Sequence, residues 1–276
     1  MSPTTPESSS SRPTSVRRRV AVATWRPSKD GRIYTRVEID ATPMLQYVDA
    51  ARKRTGTHGT VTHVIGAALG RAICAVPEVR TRVVFGRIRQ SESCDIAFAV
   101  DIEGGQDLAP VKVTNADQKT PVDIARELAP GAEQLRSGKG TGYARSSSIL
   151  RRLPWWADRP TLAAAGLLIG GLGIGALGQV GFPLGAAFVT NVGTLGLDEG
   201  FIAPLPFARV ALYLSVGAVR DAAVVVNGAV VVRPQIVLGA TGDHRLIDGA
   251  HAGQITATMR ELLAHPSQLD EPGMNR

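Results

Sequence analysis

The chain has 276 residues, 44% of them hydrophobic, and a formal charge of +7 at pH 7. It is long enough for one large α/β domain, or two small ones, with a sizeable core. The positive charge is local: Arg12, Arg17, Arg18, Arg19, Arg26, Lys29 and Arg32 face only Glu7 and Asp30, with Trp25 as the main aromatic, a pattern that argues against a nucleic-acid module. It leaves a solvated basic arm or a contact with an anionic partner such as a phosphate-bearing ligand or lipid.

Residues 1–16 are too poor in apolar side chains to order themselves, and Met1 to Ser15 has no apolar stretch of signal-peptide type. The alternation Ile33 to Ile39 predicts a strand, and Thr42-Pro43 a helix start with Thr42 as cap, running to about Arg54. A second helix follows from Thr60 or Thr62, with Val64, Ile65, Ala68, Leu69, Ala72 and Ile73 on its buried face and Pro77 as its stop. Val83 to Ile88 and Cys94 to Val100 are predicted strands, Ala109 to Val113 a short third, and Thr120-Pro121 opens a helix to about Leu135. Cys74 and Cys94 have neither metal-ligand nor redox-motif spacing and are expected as buried free thiols in a reducing cytoplasm.

No charged residue occurs between Pro160 and Leu197, and Thr161 to Gly181 is apolar enough to cross a bilayer. Arg151, Arg152 and Trp155-Trp156 precede it, as at a membrane interface. Predicted strands on both sides belong to one sheet, which opposes a crossing. Three readings stand: a buried or subunit-covering segment, a peripheral membrane contact through 161–181, and a true span.

Beyond it, Ala186 to Thr190 is a predicted strand, Asn191 to Gly196 a turn, and Phe207 to Val216 and Val224 to Val226 strands; Asn227-Gly228 is a hairpin turn, Ala229 to Val232 the return, and Ile236 to Ala240 a further strand. Ala250 to Ala264 has helical spacing. Strands and helices without strict alternation indicate a mixed sheet with helices mainly on one face. His244 and Asp248, four residues apart, then fall at a strand-to-helix junction, an address suited to a general base. His58, His63, His251 and His265 show no ligand spacing, so no metal is expected.

Several of these stretches, in this order, resemble the catalytic domain of the 2-oxoacid dehydrogenase acyltransferases, which shares its fold with chloramphenicol acetyltransferase. They are Tyr34 to Asp40, Val61 to Ile65 with Val76 to Val79, Asp95 to Asp101, Leu108 to Val113, Asn115 to Lys119, Phe188 to Gly193, and Asp243 to Gly249. The resemblance implies a trimer-forming α/β domain of the α+β type over 17–266, with an apolar insert at about 150–182, a disordered arm at 1–16 and a tail at 267–276.

It further implies His244 as the base that deprotonates the thiol of coenzyme A or dihydrolipoamide, and Thr190, where the family has a serine, as the hydroxyl that stabilises the oxyanion. Asp248 is the carboxylate that supports the histidine loop, by pairing with a basic residue of Arg17 to Arg19, while Asn191 and Asp243 stand behind these groups. The implied partners are two further copies, with histidine and hydroxyl meeting across the interface, and a lipoyl-bearing protein, since no lipoyl domain is read on this chain. The implied activity is CoA-dependent acyl transfer between thioesters in the cytoplasm. Transfer to a small-molecule hydroxyl or amine, and a non-catalytic trimeric assembly core, are the alternatives.

Overall fold

A computed structural model describes residues 31–101, 108–137, 152–176 and 179–271. The expected N-terminal arm and the Arg17 to Arg19 cluster lie outside them. In chain order the elements are β1 (Arg32–Asp40), α1 (Thr42–Thr55), α2 (Val61–Cys74), β2 (Thr81–Val84), β3 (Arg87–Gln90), β4 (Ile96–Asp101), β5 (Leu108–Val113) and α3 (Pro121–Arg136). They continue as α4 (Trp155–Ala165), β6 (Ala187–Asn191), β7 (Leu212–Val216), β8 (Arg220–Val226), β9 (Ala229–Asp243) and α5 (Gly249–Ala264).

Seven strands form one mixed sheet in the order β1-β9-β7-β6-β4-β5, with β8 paired to the first half of β9. The ladders β4–β6 and β6–β7 are parallel and the rest antiparallel. The period of two along β7 divides the core: Leu212, Leu214 and Val216 join the large cluster with α2, α3 and α5, while Tyr213 joins a smaller one with Ala208, Val210 and Leu184 on the opposite face. Ile65, Leu69, Ile73, Ile124 and Leu263 are buried in the large cluster, each contributing roughly 1.5–3 kcal/mol of apolar burial. This is the mixed sheet with helices mainly on one face that the sequence indicates.

Local details differ from expectation where short polar side chains or glycines compete for the backbone. Thr42 is the first helical residue of α1, and its N–H bonds Asp40 Oδ1 at 2.8 Å, so Asp40 does the capping. Val83 to Ile88 is a hairpin, β2 and β3 turning at Phe85-Gly86, where both φ angles are positive. Of Phe207 to Val216 only the last five residues are strand; positive φ at Arg209 breaks the extension. The β8–β9 turn is Asn227-Gly228 with φ 51 and 82°, the left-handed pair a two-residue hairpin requires.

The apolar segment consists of α4 followed by a π-helical run, Gly166–Leu172, that ends at Gly173 in the left-handed region. No helix among the described residues is long and apolar enough to cross a membrane. Gly166 and Gly170 lie against the backbone of Phe207 so closely that a Cβ at either would collide with it. The segment is thus docked on the loop before β7.

His63 sits at the third position of α2 and accepts the Thr60 N–H at Nδ1, 2.9 Å, completing a capping box. Burial, with the charge of His58 adding, pushes it down to about 4. The unfolded chain protonates this ring near its ordinary value, so stability is full above about pH 6.5 and declines as pH falls towards 4. Denaturant unfolding at pH 5 and 7.5 should differ by up to about 2 kcal/mol from this residue. His63→Gln, which keeps the capping acceptor without titrating, should flatten that difference.

Candidate active site

The second half of β9 runs between β1 and β7 and ends at Asp243. The chain then makes a tight turn in which Leu246 N–H and Ile247 N–H both donate to the Asp243 carbonyl, each at 2.9 Å. Leu246 and Ile247 are buried in the large core cluster, and His244 between strand end and anchors is exposed. Its N–H donates to the Gly31 carbonyl at 3.2 Å, and its ring Nδ1 donates to the Ile247 carbonyl at 2.9 Å. A carbonyl can only accept, so Nδ1 carries a proton, and in the neutral ring the lone pair lies on Nε2, directed away from that bond. The fold therefore selects the tautomer a general base needs.

Asp248 caps α5. Its Oδ1 accepts from Ala250 N–H at 2.9 Å and His251 N–H at 3.1 Å, and its own N–H donates to His251 Nδ1 at 3.2 Å. The bond from His251 N–H is the main reason its carboxyl lies below the usual range, with the charge of His251 and the Ala250 N–H adding. It holds the helix start that follows the histidine turn; the pairing expected with Arg17 to Arg19 lies outside the described residues. Asp243 is gripped by Arg245, which donates from Nε to Oδ1 at 2.9 Å and to Oδ2 at 3.1 Å, from Nη2 to Oδ2 at 2.5 Å, and from its backbone N–H to Oδ1 at 3.1 Å. Burial raises its affinity for a proton, but this ion pair outweighs burial and leaves it below its ordinary value.

Thr190 is buried on β6, and Asn191 ends that strand. Asn191 Nδ2 donates to Thr62 Oγ1 at 2.8 Å and its Oδ1 accepts Thr194 N–H at 3.2 Å, tying the strand end to the start of α2. Gly193 follows where a Cβ would stand 2.6 Å from the Gly217-Ala218 backbone, so only glycine fits. Thr190 pairs with Ser215, and Ser215 with Gly239. His244 is five residues beyond Gly239 and two strands over, hence ~16 Å along the strands and ~10 Å across them. Within one chain the two groups do not meet.

The sequence is described by the family model for the 2-oxoacid dehydrogenases acyltransferase (catalytic domain) at residues 6–142 and 179–270. The chain belongs to that family. The unmatched stretch between them contains α4 and the π-helical run, so the docked apolar segment is what sets this chain apart from the family pattern. The dihydrolipoyllysine-residue succinyltransferase component of the Saccharomyces cerevisiae 2-oxoglutarate dehydrogenase complex is 25% identical over 236 residues, covering 84% of this chain and 42% of that one. A lipoamide acyltransferase component of a Bacillus subtilis branched-chain complex is 23% identical, covering 83% and 46%. The chain thus spans less than half the length of these relatives.

Among solved structures, a probable dihydrolipoamide acetyltransferase from Listeria monocytogenes superposes with a TM-score of 0.67 at 20% identity, covering 92% of this chain and 93% of that one. Chloramphenicol acetyltransferase does so at 0.50 and 13% identity, covering 85% and 89%. The acyltransferase-core fold is therefore the fold of this chain.

Sequence reasoning missed two parts of the site: the Ile247 carbonyl that sets the tautomer, which carries no side-chain signal, and Arg32 and Arg209, which the fold brings to the histidine turn from distant positions. The capping geometry yields a test. Asp248→Ala should lower Tm by a few degrees and Asp248→Asn, which keeps an acceptor, by much less; a thermal melt of the two variants checks it.

Proposed function

We propose that the chain catalyses CoA-dependent acyl transfer between thioesters, as the catalytic unit of a homotrimer served by a lipoyl-bearing protein. The observation that carries this is the exposed His244 ring locked by the Ile247 carbonyl with Nε2 available. Nε2 takes the proton of the attacking thiol, from coenzyme A or dihydrolipoamide; the thiolate adds to the thioester carbonyl, and the imidazolium returns the proton to the departing thiolate. The Nδ1–H bond to a carbonyl persists through both states and steadies the imidazolium as it forms.

The separation of Thr190 from His244 supports a site completed by a second copy, with the Thr190 hydroxyl donating to the tetrahedral oxyanion. The β8–β9 hairpin leaves Val225, Val230 and Val232 exposed in adjacent positions, an apolar face suited to burial against a neighbour. An Azotobacter vinelandii dihydrolipoamide acetyltransferase of this fold was investigated for the catalytic roles of a serine, a histidine and an asparagine four residues beyond the histidine. Thr190, His244 and Asp248 stand in the same order, with the same last spacing.

His244→Ala should reduce acyl transfer from acyl-CoA to dihydrolipoamide by roughly a hundred- to ten-thousand-fold. Co-refolding His244→Ala with Thr190→Val should regain activity that neither has alone, because a mixed trimer restores some intact interfaces. Unchanged turnover in His244→Ala rejects the base, and failed complementation rejects the shared site.

A second reading concerns the apolar segment. Trp155 and Trp156 are 82% and 67% exposed at the start of α4, which supports a peripheral contact with a membrane surface. Flotation with anionic vesicles should carry the wild-type protein upward and leave a Trp155→Ser, Trp156→Ser double variant at the bottom; equal behaviour of the two removes this reading.

A further inference from the structure

A cleft of about 250 Å³ opens beside the histidine turn. Asp243 and Arg245, the residues on either side of His244, line it, and so does Gly31, whose carbonyl holds the His244 N–H. Its remaining charged groups are Arg32, from the start of β1, and Arg209, from the loop before β7. Three guanidinium groups thus share the cleft with one carboxylate, and that carboxylate is engaged by Arg245. Among the described residues neither Arg32 nor Arg209 is in an ion pair within 4 Å. Arg32 stands opposite Asp243 in the β1–β9 register and its charge helps lower that carboxyl, but the guanidinium that grips the carboxylate is that of Arg245. Leu205 and Val210 supply apolar wall.

Arg209 is held there against its own preferences. Its φ is +53°, a left-handed conformation that disfavours a long side chain. Nη1 donates to the Val83 carbonyl at 2.5 Å, and Nε is buried with no hydrogen-bond partner among the described residues. The π-helical run closes over it: a Cβ on Gly171 would lie 3.6 Å from Nε. Burial first, and the nearby charge of Arg245 second, weaken the hold of Arg209 on its proton. A bound anion would relieve both penalties.

We propose that this cleft receives the free carboxylate of a dicarboxylic acyl chain, with Arg32 and Arg209 selecting it. The inference rests on the acyl-transfer reading and assigns its substrate class. Two further features favour an acyl carboxylate over a phosphate of coenzyme A. The cleft is smaller than pockets that take drug-sized or nucleotide ligands. It also adjoins the catalytic turn, where a short acyl chain places its carboxylate a few bonds from the thioester, whereas the phosphates lie beyond the whole pantetheine arm. The mixed lining, cationic with aliphatic walls, suits methylenes ending in a carboxylate, and the planar guanidinium fork matches that group in two hydrogen bonds.

The test uses the assembled full chain carrying His244→Ala, so that ligand is not consumed, titrated calorimetrically with succinyl-CoA and butyryl-CoA, which differ by the carboxylate. Succinyl-CoA should bind at least tenfold more tightly. Adding Arg32→Gln or Arg209→Gln should collapse that ratio to below about threefold, as expected when a charge-assisted pair is removed. Arg32→Gln leaves the contacts of the π-helical run untouched, so it remains informative if the Arg209 variant fails to fold. Equal binding of the two thioesters overturns the proposal, as does a ratio that survives the substitutions; either result leaves acyl transfer itself standing. If neither thioester binds, the acyl-transfer reading falls, and this inference with it.

Discussion

Strand β9 pairs with β1, β7 and β8, and the registers of those ladders, together with that of β6 on β7, fix the place of every group in the candidate site. Because β9 is held on both sides over its second half, its last residue, Asp243, cannot slip without turning the whole buried face of Ile236 and Leu238 towards the other side of the sheet. His244 is the first residue free of that constraint. It is caught at once from outside the strand by the Gly31 carbonyl and from within the turn by Ile247. A flexible loop could bring an imidazole to the same place, but it could not hold the tautomer. Here the acceptor that selects it belongs to a residue anchored in the core.

The same registers keep Thr190 away from His244. Thr190 shares a row with Ser215 and Gly239, while the histidine turn lies beyond the far end of that row. Thr190 rides on β6 and the histidine turn is anchored at the end of β9, strands whose inner faces are committed to one core, so no modest rearrangement closes the gap. A single copy therefore keeps the two groups apart, and the valines of the β8–β9 hairpin stand exposed as an apolar face.

Much of this was legible in the residues. Period-two patterning along β1, the 3.6-residue face of α2, and the Asn227-Gly228 turn each have a local cause, and each forms where that cause places it. Ala229 to Val232 and Ile236 to Ala240, expected as two strands, instead run on as the single strand β9 because its ladders with β8 and β1 meet without a break. Less visible were features decided by long-range contact. Phe207 to Ala211 has the apolar character of a strand, yet it is diverted by Arg209 and pinned by Gly166 and Gly170 of a segment far upstream. Thr161 to Gly181 has the length and composition of a membrane span, but the glycines of the short π-helical run within it serve close backbone approach instead. His244, Asp248 and Thr190 stood out as residue types in motifs; the carbonyl that gives His244 its tautomer and the cap that occupies Asp248 are backbone geometry, which no residue type announces.

The apolar segment and the arginine cleft are two sides of one construction. Left-handed backbone at Arg209 costs of order 1–3 kcal/mol and persists only where its surroundings over-determine it. Those surroundings are Val83 on β2, which accepts from Nη1, and the Gly166–Leu172 run, whose glycines allow it to lie on Phe207 and over Nε. The family model leaves out the stretch that supplies this clamp. A scaffold of the shared kind provides the histidine turn, and the added segment forces a cation towards it. The physical effect of the segment is therefore local: it sets the electrostatics beside His244, whatever its exposed tryptophans touch outside.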